Sequence, residues 1–420
     1  MRPGEALISI VTLPTRTLVW AIPHRGAPAF ASVVLTAGAV KATVDRLRKA
    51  LDPDVRLVGD IPAFDVRAAY ELYRDLLEPV ASGWKDARSL LVAPHGSLAQ
   101  LPFALLVTTP TALGRERDAL FSNYREVPWL VRGHAITTLP SVGALVTLRR
   151  LPPGTADRRP FIGFGDPYFS QEQARRAKRH EPRAAVDAPA EADAIMRRNL
   201  KVESANSVTL AMLPRLPDTA DEIRAIADAL KADPGRDVFL AAEANEKNVR
   251  TLDLARYRVV AFATHGLAAG ELDGLTQPAL ALSAPDVANV EGDGLLTMEK
   301  ILALRLNADC VVLSACNSAG GDGASSEAIS GLGRAFFYAG ARALLVSNWP
   351  VETTSARALT TDLFRRQAAD PGLSRAHALQ QTLNALIERG ALADARSGRV
   401  VFSYAHPIFW APFTLVGDGG

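Results

Sequence analysis

Two side chains in this sequence have the types that nucleophilic catalysis needs: the imidazole of His265 and, 51 positions downstream, the thiol of Cys316. A free thiol is a poor nucleophile near neutral pH, because a reference pKa of about 8.5 leaves only a few per cent thiolate. A neighbouring imidazole removes the proton, and the resulting imidazolium stabilises the thiolate. The flanking residues suit the same chemistry. Gly266 lacks a Cβ, so its backbone can approach a substrate and its N–H can face a developing oxyanion. The backbone N–H of Cys316 is the natural second donor, and Gly320, Gly321 and Gly323 let the chain turn away beyond the nucleophile. Singly, a histidine at a strand end or a lone cysteine is more often structural; the joint placement carries the argument.

That placement depends on two strands. Tyr257 to Ala263 is a continuous apolar run ending in Thr264-His-Gly266, and Cys310 to Ala315 is another, ending in Cys316-Asn-Ser318. Parallel neighbours would bring both reactive side chains to one rim, where ligands of such sheets bind. The surrounding pattern supports a parallel sheet. Further strands are read at Phe161 to Gly165, Ala279 to Ser283 and Ala343 to Ser347. Helices are read at Asp218 to Ala232, with its N-cap at Asp218 or Thr219, and from Ser326, whose Ile329, Leu332, Phe336 and Ala339 share a face closed by Gly340. In the first part of the chain, Ala6 to Ile22 reads as a strand pair turned near Pro14, Pro28 to Val40 as a buried strand or turn, and Ser89 to Gly96 as a short strand and turn. Val40 to Leu51 and Arg67 to Leu77 read as amphipathic helices. The fold class is therefore α/β, a mostly parallel sheet with helices on both faces.

At 420 residues the chain exceeds one usual hydrophobic core, so two domains or two fused halves are expected, divided here as 1–155 and 156–420. With 48% hydrophobic and 22% charged residues it has the composition of a globular protein. Its net charge of +2 gives no reason to invoke nucleic acid or an anionic membrane. Met1 to Ile10 does not read as a signal peptide and no run is long enough to span a bilayer, so the expected compartment is cytoplasmic. Cys310 and Cys316 on one strand would lie about 20 Å apart, too far for a disulfide. Their spacing does not read as a zinc site either, and the chemistry needs no metal or cofactor.

Other residues read as structural. The Arg-rich stretch 171–201 is an exposed insertion, with a self-cleaved or regulatory loop as the functional alternative. His95-Gly96 mimics the reactive pair, but no cysteine occurs in the first half. His406 fixes a turn before Pro407, Asp166 sits in a Gly-Asp-Pro turn, and Glu327 caps a helix.

The segments Ala261-Phe-Ala-Thr-His-Gly-Leu267, Val311-Val-Leu-Ser-Ala-Cys-Asn-Ser-Ala319, Gly331-Leu-Gly-Arg-Ala-Phe-Phe-Tyr-Ala-Gly-Ala341 and Ser347-Asn-Trp-Pro-Val351 together resemble the CHAT family of caspase-related peptidases. His406 to Gly417 resembles the family's closing strand, Leu91 to Phe103 an early strand and turn, and Pro3 to Leu7 the start of its region. The His-to-Cys spacing of about 50 is that of caspases.

This resemblance implies a caspase-hemoglobinase fold shared distantly with separase, with an inert first half packed on an active second half. It implies His265 and Cys316 as the catalytic pair of a cysteine endopeptidase acting on protein substrates. It further implies Ser347, Asn348 and Trp349 as a segment that pairs with extended substrate backbone, and a regulated effector in prokaryotic defence or cell death, with a tetratricopeptide-repeat sensor as partner. Two positions depart from the pattern. Glu352-Thr353 stands where the family often has Asp-Asp, so an acidic pocket contribution rests on Glu352, whose other reading is a helix N-terminal charge. Ser314 stands where metacaspases carry the Asp that selects basic residues. The alternative function is a CHAT-fold interaction module that hydrolyses nothing; a serine hydrolase lacks its Gly-x-Ser-x-Gly elbow.

Overall fold

The computed structural model of the chain describes residues 1–55, 57–179, 209–315, 331–393 and 398–420. Among these, one large sheet contains β1 (Glu5–Thr12), β2 (Thr17–Pro23), β3 (Ala29–Val33), β4 (Ser89–Ala93), β5 (Ala135–Thr138), β6 (Arg159–Gly165), β7 (Val238–Leu240), β8 (Tyr257–Ala263), β9 (Cys310–Ser314), β10 (Ala343–Ser347) and β11 (Phe413–Gly417). Their order is β3-β2-β1-β4-β5-β11-β10-β9-β8-β6-β7. Every adjacent pair is parallel except β1–β2, β2–β3 and β10–β11. The mostly parallel α/β sheet expected from the sequence is therefore the architecture of the chain.

β6, β8, β9 and β10 run parallel and end on the rim that carries His265. His95 follows β4, and four strands, β5, β11, β10 and β9, separate β4 from β8, which leads to His265. His95 Nδ1 sits 2.8 Å from Thr12 Oγ1, and Gly96 takes φ +61° to make the turn.

Residues on the central strands alternate between two cores, as the pleat requires. Val259, Ala261, Ala263, Cys310, Val312 and Leu345 face one core, with the helices Asp218–Ala229, Thr353–Ala369 and Arg375–Arg389. Val260, Phe262, Val311, Leu313 and Leu344 face the other, with the Gly331–Ala339 and Met298–Leu302 helices. The first face is lined with small residues because the Asp218–Ala229 helix lies close against it. A Cβ on Gly163 would come within 2.8 Å of Ile223 Cγ2, and one on Gly165 within 2.9 Å of Ile223 Cγ1.

Several boundaries differ from the sequence reading. Ala279–Ala281 joins Gly266–Leu267 and Leu295–Thr297 in a separate three-stranded antiparallel sheet rather than the large one. Ala37–Arg48 and Val66–Leu76 are helices as expected, but the stretch before them is not buried. Among the described residues β3 pairs only with β2 at the sheet's edge; Phe30 is 55% and Val34 93% exposed, with the Trp20 ring 5.1 Å from that of Phe30. The Asp218–Ala229 helix starts after Pro217, so Asp218 belongs to its first turn and is not its cap. The arginine-rich stretch begins with an exposed helix, Gln171–Lys178, capped by Ser170; the remainder from 180, with Glu327 and the start of the helix read from Ser326, lies outside the described residues. Among the described residues no helix is long and apolar enough to cross a membrane.

Candidate functional site

β8 is a run of β-branched, aromatic and small residues, buried on both faces as a central parallel strand must be. It delivers Thr264 and His265 to the rim. Both are buried and both are stitched to the small sheet: Thr264 Oγ1 donates to the Ala281 carbonyl at 2.5 Å, and Ala281 N–H donates to the His265 carbonyl at 2.9 Å. β9 lies alongside in parallel register, with Ala263 opposite Ser314. Ala315, the last described residue before Cys316, therefore emerges on the same rim as His265. Cys316 itself lies outside the described residues.

Among the described residues, Phe169 and Pro214 hold the His265 ring. Phe169 packs against it with ring centroids 5.5 Å apart, and its Nε2 lies 2.7 Å from the carbonyl oxygen of Pro214. A carbonyl oxygen can only accept, so Nε2 carries the proton. In the neutral ring the lone pair then belongs to Nδ1.

Pro214 is held in turn. Arg215 donates from Nε and Nη2 to the two oxygens of Asp166, at 2.8 and 2.6 Å, and its guanidinium lies over the Tyr168 ring at 4.8 Å. Burial pushes the Asp166 carboxyl above its ordinary range, against the pull of Arg215. The two hydrogen bonds to Asp166 hold the Arg215 guanidinium up. Asp166 follows β6 with φ +50°, a conformation uncommon outside glycine. Pro214, Arg215 and Phe169 went unrecognised in the sequence. The contact from Pro214 is a backbone carbonyl, which no residue type announces, and Arg215 meets Asp166 across 49 positions.

The other candidate residues are placed as follows. Ser314 is buried and donates to Glu222, itself wholly buried, at 3.1 Å. Ser347 Oγ donates to the Ala315 carbonyl. Asn348 donates from Nδ2 to the Pro412 carbonyl and Thr414 Oγ1, at 2.8 and 2.7 Å, while its backbone N–H takes the same Pro412 oxygen at 2.8 Å. Trp349 is buried, with Nε1 donating to Ile408 O at 3.1 Å. The side chains of Asn348 and Trp349 thus hold β10 to the C-terminal segment. Glu352 caps the Thr353–Ala369 helix, its two oxygens accepting from Thr354 and Ser355 N–H. Gly266 pairs with Leu280. Cys310 is buried in the core, where desolvation pushes its thiol up to about 11. Among the described residues no cluster of three or more His, Cys, Asp and Glu is placed to hold a metal ion.

A family model described as the CHAT domain matches residues 66–418; the Pro3 to Leu7 resemblance falls outside that match. Over 127 residues the chain is 34% identical to mouse tetratricopeptide repeat protein 28, covering 30% of this chain and 4% of that protein. Solved structures similar to it include separase in the Saccharomyces cerevisiae separase–securin complex, at TM-score 0.47 and 10% identity, covering 99% of this chain and 30% of the other. Another is the Arg-specific cysteine proteinase gingipain R, at TM-score 0.41 and 11% identity, covering 91% of this chain and 74% of the other. The chain thus spans only a small part of the tetratricopeptide relative and under a third of separase.

Proposed function

The chain belongs to the CHAT domain family, and from that premise we propose that it is a caspase-like cysteine endopeptidase using His265 and Cys316. The observation that supports this most is the fixing of His265: a buried imidazole with Nε2–H on the Pro214 carbonyl, at the rim from which Ala315 leads into Cys316. A ring held this way has its basic nitrogen and its orientation settled before substrate arrives.

In the proposed reaction His265 Nδ1 takes the thiol proton, and the Cys316 sulfur attacks the scissile carbonyl carbon. The oxyanion is stabilised by the backbone N–H groups of Gly266 and Cys316. The imidazolium then protonates the leaving amine, the C–N bond breaks, and a thioester remains on Cys316. Water, deprotonated by the same Nδ1, attacks the thioester and releases the carboxylic acid product and the thiol. Substrate backbone pairs beside Ser347 to Trp349. Asn348 and Trp349 turn their side chains inward, so neither side chain is proposed to contact substrate. Ser314, bonded to buried Glu222, and Glu352, capping its helix, are proposed to support this binding region through the strands and helix they hold and not by contacting substrate.

The substrate is a protein, and the setting is cytoplasmic, a regulated effector in prokaryotic defence or cell death. A tetratricopeptide-repeat sensor is the proposed partner, supported by the stretch shared with a protein named for those repeats.

The test is a proteome-derived peptide digest comparing this chain with its Cys316→Ala variant. Cleavages made by the parent and lost in the variant are expected. Cleavage retained by the variant overturns the assignment. Absence of cleavage by both, with no labelling of Cys316 by a thiol-directed peptide probe, points instead to an interaction module.

A further inference from the structure

Four consecutive residues, Leu213 to Leu216, are each tied down by a different neighbour. Gln173 Nε2 donates to the Leu213 carbonyl at 2.7 Å, and the same Gln173 accepts the Phe169 N–H at 2.9 Å. The Pro214 carbonyl accepts His265 Nε2–H at 2.7 Å. Arg215 grips Asp166 through two parallel hydrogen bonds. Thr219 Oγ1 donates to the Leu216 carbonyl at 2.7 Å and accepts the Asp166 N–H at 2.7 Å. Asp166, Thr219 and Gln173 thus hold the segment, with Gln173 tied in turn to the Phe169 N–H. Within Leu213 to Leu216 it is the Pro214 carbonyl that bonds the imidazole.

A purely structural turn after β6 has cheaper solutions than this one. Asp166 combines a left-handed backbone, which strains a non-glycine residue, with a carboxylate that is only 4% exposed. Both costs are local to a residue two steps removed from the imidazole; the buried carboxylate is met by Arg215, the neighbour of Pro214, and the backbone N–H by Thr219. A planar bidentate pair fixes direction as well as distance. We propose that the Asp166–Arg215 ion pair is a positioning device: it aims the Pro214 carbonyl at His265 Nε2 and so fixes both the tautomer and the orientation of the catalytic base. Neither residue touches substrate. This rests on the peptidase reading of the site for its catalytic consequence, but its structural core is separately measurable.

The experiment uses the full chain with Cys316→Ala, so that no turnover intervenes, and 15N-labelled histidine. His265, assigned by its loss in His265→Asn, is expected to show protonated Nε2 and bare Nδ1 near neutral pH. Asp166→Asn, which keeps shape but loses charge, and Arg215→Lys, which loses the bidentate fork at a side chain 30% exposed, are each expected to give mixed tautomers. In the Cys316 background the same two variants are expected to lower kcat about tenfold or more with little change in KM, Arg215→Lys less than Arg215→Ala. An unchanged His265 tautomer in folded Arg215→Ala overturns the proposal, as does a loss confined to KM. If the parent cleaves nothing, the peptidase reading fails while the tautomer measurement still decides this one.

Discussion

Glu352 and Ser355 are joined by a 2.6 Å hydrogen bond from the Ser355 backbone N–H to the Glu352 carboxylate, whose other oxygen takes the Thr354 N–H at 2.9 Å. Both oxygens of the acidic group that directly follows the Ser347 to Val351 motif are therefore spent on orphan donors of a 17-residue helix. Removing such a cap costs about 1–2 kcal/mol. Glu352→Ala is expected to lower the urea midpoint accordingly, with Glu352→Gln losing less. The ratio of cleavage after basic and after neutral residues is expected to stay the same in Glu352→Gln. A collapse of that ratio in a stably folded variant would place the carboxylate in the substrate pocket after all.

Cys310 and Cys316 are six residues apart yet predicted to behave as different chemical species. Burial raises the Cys310 thiol to about 11, leaving about one thiolate in a thousand at pH 8, behind a fully packed core. Iodoacetamide at pH 8 is expected to leave Cys310 unmodified in the native chain and to modify it fully in denaturant, read by peptide mass mapping. Rapid native labelling of Cys310 would show that β9 opens far more readily than its burial allows.

How much of this was legible from the residues depended on whether a side chain or a main-chain atom does the work. The bounds of β8 are legible because Val259 to Ala263 is an unbroken apolar run ending at Thr264, with Arg258 the single charged residue after Tyr257, and Thr264-His-Gly266 stands out by residue type. The Ala279 strand was found but put in the wrong sheet, since three apolar residues look alike in a parallel sheet and in a small antiparallel one. Pro28 to Val40 looked buried by composition alone; hydropathy does not reveal that β3 has a neighbour on one side only. Above all, the Pro214 carbonyl on His265 has no signature, because every residue has a carbonyl. Asp166 was noticed and assigned to a turn, which it makes, but its partner 49 positions away depends on a fold that local patterning does not supply.

Acid is expected to destabilise the chain through two carboxylates far from the rim. Burial alone would raise Glu5, but hydrogen bonds from Arg149, at 2.8 and 2.6 Å, and from the Arg2 backbone N–H outweigh it and leave the carboxyl below its usual range. Burial likewise raises Asp309, and Arg158 at 3.0 Å with Arg258 at 3.2 Å more than reverse it. A carboxyl depressed in the folded state contributes stability in full above its unfolded value of about 4 and loses it as pH falls through the folded value. Urea midpoints measured from pH 7 to pH 2.5 are therefore expected to drop steeply below about pH 4. Glu5→Gln with Asp309→Asn is expected to be less stable at pH 7 and to show a shallower acid slope; a slope equal to that of the parent would remove these groups from the account.

Two glycines on β6 separate packing from positioning. A Cβ on Gly163 would meet Phe161 Cζ at 2.5 Å and Ile223 Cγ2 at 2.8 Å, both in side chains. One on Gly165 would meet Ile223 Cγ1 at 2.9 Å and also the Thr219 carbonyl oxygen at 3.1 Å, which is backbone. Overpacking of this kind costs about 1–3 kcal/mol, so both alanine variants are expected to unfold at lower urea. Their effects on turnover are expected to diverge. Relief at Gly163 requires only rotation of Ile223 or Phe161, away from the rim. Relief at Gly165 pushes on the first turn of the Asp218–Ala229 helix, where Thr219 holds both the Asp166 N–H and the Leu216 carbonyl, and it moves the residue that precedes Asp166. Gly163→Ala is therefore expected to keep kcat near that of the parent at temperatures where it is folded, while Gly165→Ala loses kcat without a matching rise in KM. Equal kcat losses in the two variants would mean that helix packing as a whole, rather than the Asp166 strap, carries the coupling to His265.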